Sequence, residues 1–265
     1  MRKHTAIVTG ASEGLGKAIA FELASRGINL VLLSLPGSGL PALSRYIERN
    51  FGVNAWYREV DLTLAGELPE IFTWMMKNKV RANMLINNAG LGNWSWFEEK
   101  NIYFYKKQID LNITSTVLLT RLFLDQVSPK NRSYLLNVGS LGGHVIVPRK
   151  QVYGASKSFI SYFTRCLQLE QSGKNIFITL LSPGGINTKP ELLVQNHSLR
   201  GLSAASILEP EVVARQAIEG LLKGKKEVIP GAINRTIAIL NTLLPSFVKE
   251  TIIRHRLKAA LTSPG

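Results

Sequence analysis

Cysteine is nearly absent. Cys166 stands alone in 265 residues, so no internal disulfide can form and nothing asks for an oxidising compartment. Its place in a helical pattern fits a buried, unreactive thiol. Acidic residues are also short, 18 Asp and Glu against 32 Lys and Arg, for a formal net charge of +14. Much of the excess is terminal: from Leu221 to Gly265 there are eight Lys and Arg against two Glu. Such a balance suits anionic substrates or an anionic membrane surface, and equally describes a solvated basic face. No aromatic-interleaved or groove-reading motif accompanies the charge, so nucleic acid is not an expected partner. Long apolar runs are missing, none approaching the roughly 18 to 20 residues that a membrane-spanning helix needs. Met1–His4 followed by Thr5-Ala6-Ile7-Val8 is too short in its apolar part for a secretory signal and runs into a Gly-rich turn. A cytoplasmic location is the expectation. No cluster of His, Cys, Asp and Glu has ligand spacing, so no metal is expected. A Gly-x-Ser-x-Gly elbow is absent too, and Ser140, His144 and Asp110 are therefore not read as a hydrolase triad.

What is present is a core-forming composition, 45% hydrophobic and 19% charged, in a length that α/β folds commonly hold as one unit. Short β-branched or leucine-rich runs predict strands at Thr5–Thr9, Asn29–Ser34, Asn54–Val60, Met84–Asn87, Ser133–Val138, Ile176–Leu181 and Glu227–Ile229. Helical patterns fall between them at Leu15–Arg26, Leu40–Asn50, Glu67–Lys77, Ile102–Val127, Val152–Gln171 and Glu211–Leu222. Gly27, Gly52 and Gly173 sit where helices end. This alternation predicts a parallel sheet of seven strands covered on both faces. The reading is one domain over residues 1–265, with 232–265 as a helical extension in which Pro245 opens a second short amphipathic helix. Between Thr188 and Glu209 the alternation pauses for a connection long enough to be a functional lid.

Two constellations carry chemistry. The first strand runs directly into Thr9-Gly10-Ala11-Ser12-Glu13-Gly14-Leu15-Gly16 and then a helix. Such a turn lets backbone approach a pyrophosphate, while the helix N-terminus supplies free N–H groups and a positive dipole end. Further along, Tyr153 and Lys157 lie four apart on one helical face. A phenol near pKa 10 is a weak acid/base at neutral pH, and an adjacent ammonium favours its phenolate.

With these motifs in order, the chain resembles the short-chain dehydrogenase/reductases, strongly over residues 4 to 190. The resemblance rests on the Thr9–Gly16 turn, Asp61 after the third strand, Asn87-Asn88-Ala89-Gly90 after the fourth, Asn112 on the next helix and Ser140 after the fifth. It continues through Tyr153 and Lys157, and Pro183-Gly184 with Thr188 after the sixth. The segment Gly16–Gly27 is similar to the branch holding hydroxysteroid dehydrogenases and long-chain 3-ketoacyl reductases, which weakly suggests a lipophilic substrate. The fold implied is a doubly wound Rossmann-type three-layer sandwich. The activity implied is hydride transfer between NADP or NAD and a small-molecule carbonyl or secondary alcohol. In that family the match to Tyr153 exchanges the proton with the carbonyl oxygen, and Lys157 lowers its pKa and bonds the nicotinamide ribose. Ser140 positions the substrate oxygen and Asn112 holds a relay water. Gly10, Ser12, Gly14, Leu15 and Gly16 surround the pyrophosphate and ribose, Asp61 and Leu62 face the adenine, and Asn88, Ala89 and Gly90 lie on the adenosine side. Pro183, Gly184, Ile186 and Thr188 meet the nicotinamide end. A homodimer or homotetramer through the helices at Ile102–Val127 and Val152–Gln171 is implied as well.

The chain departs from the family at the end of the second strand, where Ser34 replaces the acid that selects NAD and Leu35 replaces the arginine that selects NADP. Glu13 opposes a 2′-phosphate; Ser34 and the N–H groups of Gly37-Ser38-Gly39, with Arg45 or Arg58 nearby, favour one. The balance leans narrowly to NADP. Trp94 and Trp96 border the substrate pocket or pack on the surface or a neighbouring subunit, and His144 lines the pocket. The tail 232–265 offers a peripheral membrane contact or packs on the protein. A nucleotide-binding regulator without turnover is the competing class; its usual signature, a lost catalytic position, is absent.

Overall fold

The computed structural model describes residues 4–187, 206–245, 247–251 and 253–254. Seven strands lie in the order β3-β2-β1-β4-β5-β6-β7, all pairs parallel. They are β1 (Thr5–Thr9), β2 (Asn29–Ser34), β3 (Ala55–Glu59), β4 (Met84–Asn87), β5 (Ser133–Val138), β6 (Ile176–Leu181) and β7 (Glu227–Val228). The expected strands are all found; β3 and β7 are trimmed by a residue or two, because their ends lie at sheet edges with one neighbour each. The chain winds outward from β1 to β3, then returns to place β4 against β1. Parallel α/β sheets open a crevice at such a switch point, beyond the carboxyl ends of the strands.

Central strands are apolar without a break because both faces are covered. Along β1 and β2, Ala6, Val8, Leu30 and Leu32 enter one core with Leu15, Ile19 and Leu23 of α1 (Gly14–Ser25), Leu40 and Ile47 of α2 (Leu40–Phe51), and Val213 and Ile218 of α7 (Pro210–Leu222). Ile7, Val31 and Leu33 face the opposite way, against Leu68 and Ile71 of α3 (Leu68–Lys77), Leu119 and Phe123 of α5 (Ser115–Leu124), and Leu167 of α6 (Gln151–Glu170). Side chains as fully buried as Leu23 and Phe123 contribute about 1.5 to 3 kcal/mol each. Gly27, Gly52 and Gly173 all have positive φ after helices, as expected of C-terminal caps.

The long helix expected over Ile102–Val127 is in fact interrupted. α4 (Ile102–Ile109) and α5 are joined by a π-helical turn at Asp110–Thr114. Hydrophobic period alone does not reveal a single wide turn, and such turns concentrate at functional sites; this one carries Asn112. The extension contains α8 (Ala232–Leu243) and a helical stretch at 247–251, with Pro245 between them. Residues 188–205, most of the long connection, lie outside the described residues. Its flanks meet where Ile186 bridges Leu208, Asn187 N–H donates to Leu208 O at 3.2 Å and Leu208 N–H to Gly185 O at 3.0 Å.

Candidate active site

The first half of the site is made of backbone. β1 ends in Thr9, whose hydroxyl donates to Ile86 O (3.2 Å) and accepts the N–H groups of Asn88 and Ala89 (both 2.9 Å). The Asn88 amide returns the tie by donating to Thr9 O at 2.9 Å and Gly10 O at 3.3 Å. The turn after β1 is thereby clamped to the turn after β4. Asn88 was expected on the adenosine side of a cofactor; its side chain is committed to this clamp. Thr9 escaped notice as a functional residue, because only the fold brings its hydroxyl to the second turn. Gly10 has φ 62°, a left-handed conformation that most side chains resist. Gly16 is required by contact: a Cβ there would lie 1.9 Å from Gly10 O and 2.6 Å from Asn88 Nδ2.

Above this turn is a cleft of about 280 Å³. The Gly10–Gly16 turn, Ser34, Asp61, Leu62 and Asn88–Gly90 line it, as do Lys107 and Leu111, which no motif had marked. No side chain caps the first turn of α1, so its N–H groups face the cleft's end as an anion site. A close glycine cradle and an uncapped helix at the end of this cleft fit the pyrophosphate and one nucleoside of a dinucleotide. The Asp61 carboxyl is pushed up by burial, but more is gained from the Thr63 N–H and hydroxyl, at 3.0 and 2.7 Å, and from the Lys107 ammonium, so its pKa falls below the ordinary value.

At the far end of the cleft the hydroxyls of Ser12 and Ser34 share a 2.8 Å hydrogen bond. The expected cradle beyond Ser34 is altered. Gly37 N–H is taken by Glu59 Oε1 at 3.0 Å, and Arg58 is turned onto Glu70 O of α3 at 2.6 Å. Arg45 is exposed on α2. The Ser38 hydroxyl is buried with no partner.

The second half is made of side chains. Asn112, 1% exposed, accepts Leu91 N–H at 2.8 Å and donates to Leu91 O and Ser156 Oγ, both at 3.0 Å. Ser156 in turn donates to Tyr153 O at 2.7 Å, so the π turn braces the start of α6. Ser140 follows β5, and its Oγ accepts Gly142 N–H at 3.0 Å, leaving its own proton free to donate. The Lys157 ammonium is buried, donates to Val138 O at 2.7 Å and lies 5.8 Å from the Tyr153 ring centre. Gly92 and Gly142 flank the ring, where a Cβ would make ordinary contact with it at 3.4 Å and 3.8 Å.

Burial dominates the proton chemistry. It raises the Tyr153 pKa, with the Ser140 hydroxyl pulling the other way. It lowers Lys157 from 10.5 to about 8. The residue pattern alone implied a tyrosine shifted down by its lysine; here burial of the phenol shifts it up.

On the side expected to meet a nicotinamide, Pro183 O accepts Leu141 N–H at 2.9 Å, joining the loops after β5 and β6. Gly184 is backed by the buried Asn234, whose Oδ1 would lie 2.6 Å from a Cβ. Ile186 holds the bridge to Leu208. Thr188 lies outside the described residues. His144, expected in the pocket, instead turns to Ser182 Oγ (3.3 Å) and Glu227 Oε1 (3.4 Å). Trp94 lies beneath Lys150, whose Nζ is 5.0 Å from its ring centre. Among the described residues no group of three or more His, Cys, Asp or Glu could hold a metal ion.

A family model for short chain dehydrogenases matches residues 4–196, and the chain belongs to that family. Over 193 residues it is 33% identical to the very-long-chain 3-oxoacyl-CoA reductase of Mus musculus, covering 69% of this chain and 60% of that protein. Hydroxysteroid dehydrogenase-like protein 1 of Gallus gallus is 32% identical over 186 residues, 69% of this chain and 56% of that protein. The chain thus spans about 60% of the length of the curated relatives it matches. A solved 7beta-hydroxysteroid dehydrogenase superposes with a TM-score of 0.82 at 22% identity, covering 95% of this chain and 96% of that one. A Sphingobium yanoikuyae short-chain dehydrogenase in complex with NADPH gives 0.76 at 22% identity, over 99% and 96% of the two chains. These two likenesses concern the fold.

Proposed function

We propose that this chain is an NAD(P)-dependent oxidoreductase that moves a hydride between nicotinamide and a carbonyl or secondary alcohol, with Tyr153 as acid/base. The observation that carries the reading is the convergence of Ser140, Tyr153, Lys157 and Asn112 beside a glycine-built cleft fit for the pyrophosphate and one nucleoside of a dinucleotide. The bound nicotinamide supplies the hydride chemistry. The chain supplies the proton: neutral Tyr153, favoured by burial, gives its Oη proton to the carbonyl oxygen. Ser140 donates a second hydrogen bond to that oxygen. Lys157, still mostly protonated below about 8, stabilises the phenolate left behind. Asn112 braces Leu91 and Ser156 through its side-chain amide and, as the family resemblance implies, is the residue that would hold a relay water. The cleft residues Gly10, Ser12, Gly14, Leu15, Gly16, Ser34, Asp61, Leu62, Ala89 and Gly90 hold the cofactor, and Pro183, Gly184, Ile186 and Thr188 meet its nicotinamide end.

The cofactor preference leans to NADP: no acid follows Ser34 on β2, and the Ser38 hydroxyl is buried and unpartnered. A lipophilic substrate, steroid or ketoacyl-like, accords with the names of the relatives. We read residues 1–265 as one domain in the cytoplasm. Assembly into a homodimer or homotetramer is supported by Ile102, Tyr103, Tyr162 and Leu169, each 72 to 75% exposed on α4 and α6. Peripheral membrane contact through 232–265 is supported by the exposed Ile239, Leu243 and Phe247; among the described residues no helix is long and apolar enough to cross a membrane. The deciding experiment titrates NADPH and NADH, then follows their oxidation with a carbonyl panel in the intact protein and in Tyr153→Phe. Turnover lost in the variant supports the reading. Nucleotide binding with no hydride transfer to any carbonyl would make the chain a silent binding protein.

A further inference from the structure

The rim beside Tyr153 carries two adjacent cations that the mechanism does not use. Arg149 has φ 68°, one of two non-glycine residues with positive φ among the described residues. That conformation costs on the order of 1 to 2 kcal/mol and tends to persist at functional positions. Its carbonyl accepts Ser95 N–H at 3.0 Å, its guanidinium lies 5.3 Å from the Trp96 ring centre, and its Nε is buried with no partner. The kink at Arg149 aims Lys150 back over the active site. Lys150 Nζ stands 5.0 Å from the ring centre of Trp94 and 5.4 Å from that of Tyr153. No carboxylate pairs with either cation among the described residues. Lys150 also occupies the N-cap of α6, the end of a helix that disfavours positive charge, and burial pulls its pKa below the ordinary value.

Backbone strain, desolvation and an opposed helix dipole are thus all accepted to hold an ammonium at this one place. The two tryptophan faces stabilise the cations only in part. A structural purpose would be met as well by an uncharged side chain stacked on Trp94. What an ammonium adds is an unfilled demand for an anion, over the ring of the residue that protonates the substrate. The chain's excess of 32 basic over 18 acidic residues further concentrates anions at its surface.

We propose that Lys150, positioned by Trp94 and the Arg149 kink, selects carbonyl substrates that carry a carboxylate a few bonds from the reacting carbon. The inference rests on the dehydrogenase reading for its carbonyl and on its own geometry for its carboxylate. Lys150 touches the substrate's anionic end and sets specificity; the proton still comes from Tyr153. An apolar body between carbonyl and acid would rest on the exposed face of Trp94 (54% exposed).

The test compares levulinate with its neutral methyl ester, which share one ketone and differ in charge. The expected result is preference for the acid in the intact enzyme, and a KM for levulinate raised about tenfold or more in Lys150→Gln. kcat/KM for methyl levulinate should stay within about twofold of its starting value, and Lys150→Arg should restore the preference for the acid. A merely structural Lys150 would move both substrates together, and that outcome overturns the proposal, as does equal use of acid and ester by the intact enzyme. Quenching of tryptophan fluorescence by the two compounds gives an answer independent of turnover. Acid-dependent quenching lost in Lys150→Gln supports the anion site even if no ketone is reduced, in which case the dehydrogenase reading alone fails. Absence of any acid-dependent quenching overturns the site.

Discussion

The two halves of the crevice are built from different materials. On the β1 side the surface is main chain: a turn with glycines at 10, 14 and 16, clamped by Thr9 and Asn88, with α1 presenting N–H groups. On the β5 side it is side chain: Tyr153, Ser140, Lys157 and Asn112, drawn from separate elements and largely buried. The first half tolerates no added atom at Gly16, and its one shifted carboxyl, Asp61, is held by hydrogen bonds to Thr63. The second could accept many shapes, yet pays continuously in buried charge and raised or lowered pKa. On the proposed function, cofactor binding would depend on the first half and proton transfer on the second, and the two halves should fail in different ways.

Tyr153→Phe should produce the largest effect on the catalytic half alone. Turnover is expected to fall by about 10² to 10⁴-fold, while nucleotide titration and melting temperature stay close to their starting values. Gly16→Ala should break the other half. Its Cβ cannot be placed without moving Gly10 O, so nucleotide affinity should drop by more than about tenfold and stability by about 1 to 3 kcal/mol, read by titration and denaturant midpoint.

Lys157→Met sharpens the comparison, because it should separate activity from stability. A lysine whose pKa falls from 10.5 to about 8 on folding weakens the folded state by roughly 3 kcal/mol at neutral pH, and the penalty fades as pH rises from 8 toward 10.5. Removing the charge should abolish most turnover yet raise stability by about 1 to 2 kcal/mol, once the lost bond to Val138 is counted. Denaturant curves should show the gain at neutral pH and its disappearance in alkali. For the intact enzyme, ketone reduction should weaken as pH climbs past about 8, where Lys157 loses its proton. Alcohol oxidation should strengthen toward the raised pKa of Tyr153, which must then be a phenolate.

The smallest expected effect on turnover lies behind the catalytic half. Glu227 is held at about 2, chiefly by its hydrogen bond with His144 and then by Ser182 and Arg165, against the opposing pull of burial. Its stabilisation is complete above its ordinary 4.5 and is lost as pH falls through about 2. Glu227→Gln should therefore cost about 1 to 3 kcal/mol near neutral pH and flatten the acid limb of the unfolding curve. Because His144 follows the Ser140 loop and accepts Asn241 at its carbonyl, a modest loss of turnover should accompany it, seen in kcat more than in nucleotide affinity.

Short-range chemistry was enough for the strands, most helices, the glycine turn and the Tyr153–Lys157 pair. Buried parallel strands are apolar on both faces, Gly16 is irreplaceable by contact and Gly10 and Gly14 have positive φ, and residues four apart on a helix must share a face. Three features were decided only by contacts across the fold. The Asp110–Thr114 π turn arises where Asn112 reaches Leu91 and Ser156, partners 21 and 44 residues away. Asn88 became a clamp because β4 returns beside β1, 79 residues from Thr9. The Tyr153 pKa is raised because packing removes water from its phenolate, against the opposing pull of the Ser140 hydroxyl. Hydrophobic period and residue type act over one or two turns of chain, whereas dehydration and long-range hydrogen bonds exist only after the sheet has assembled.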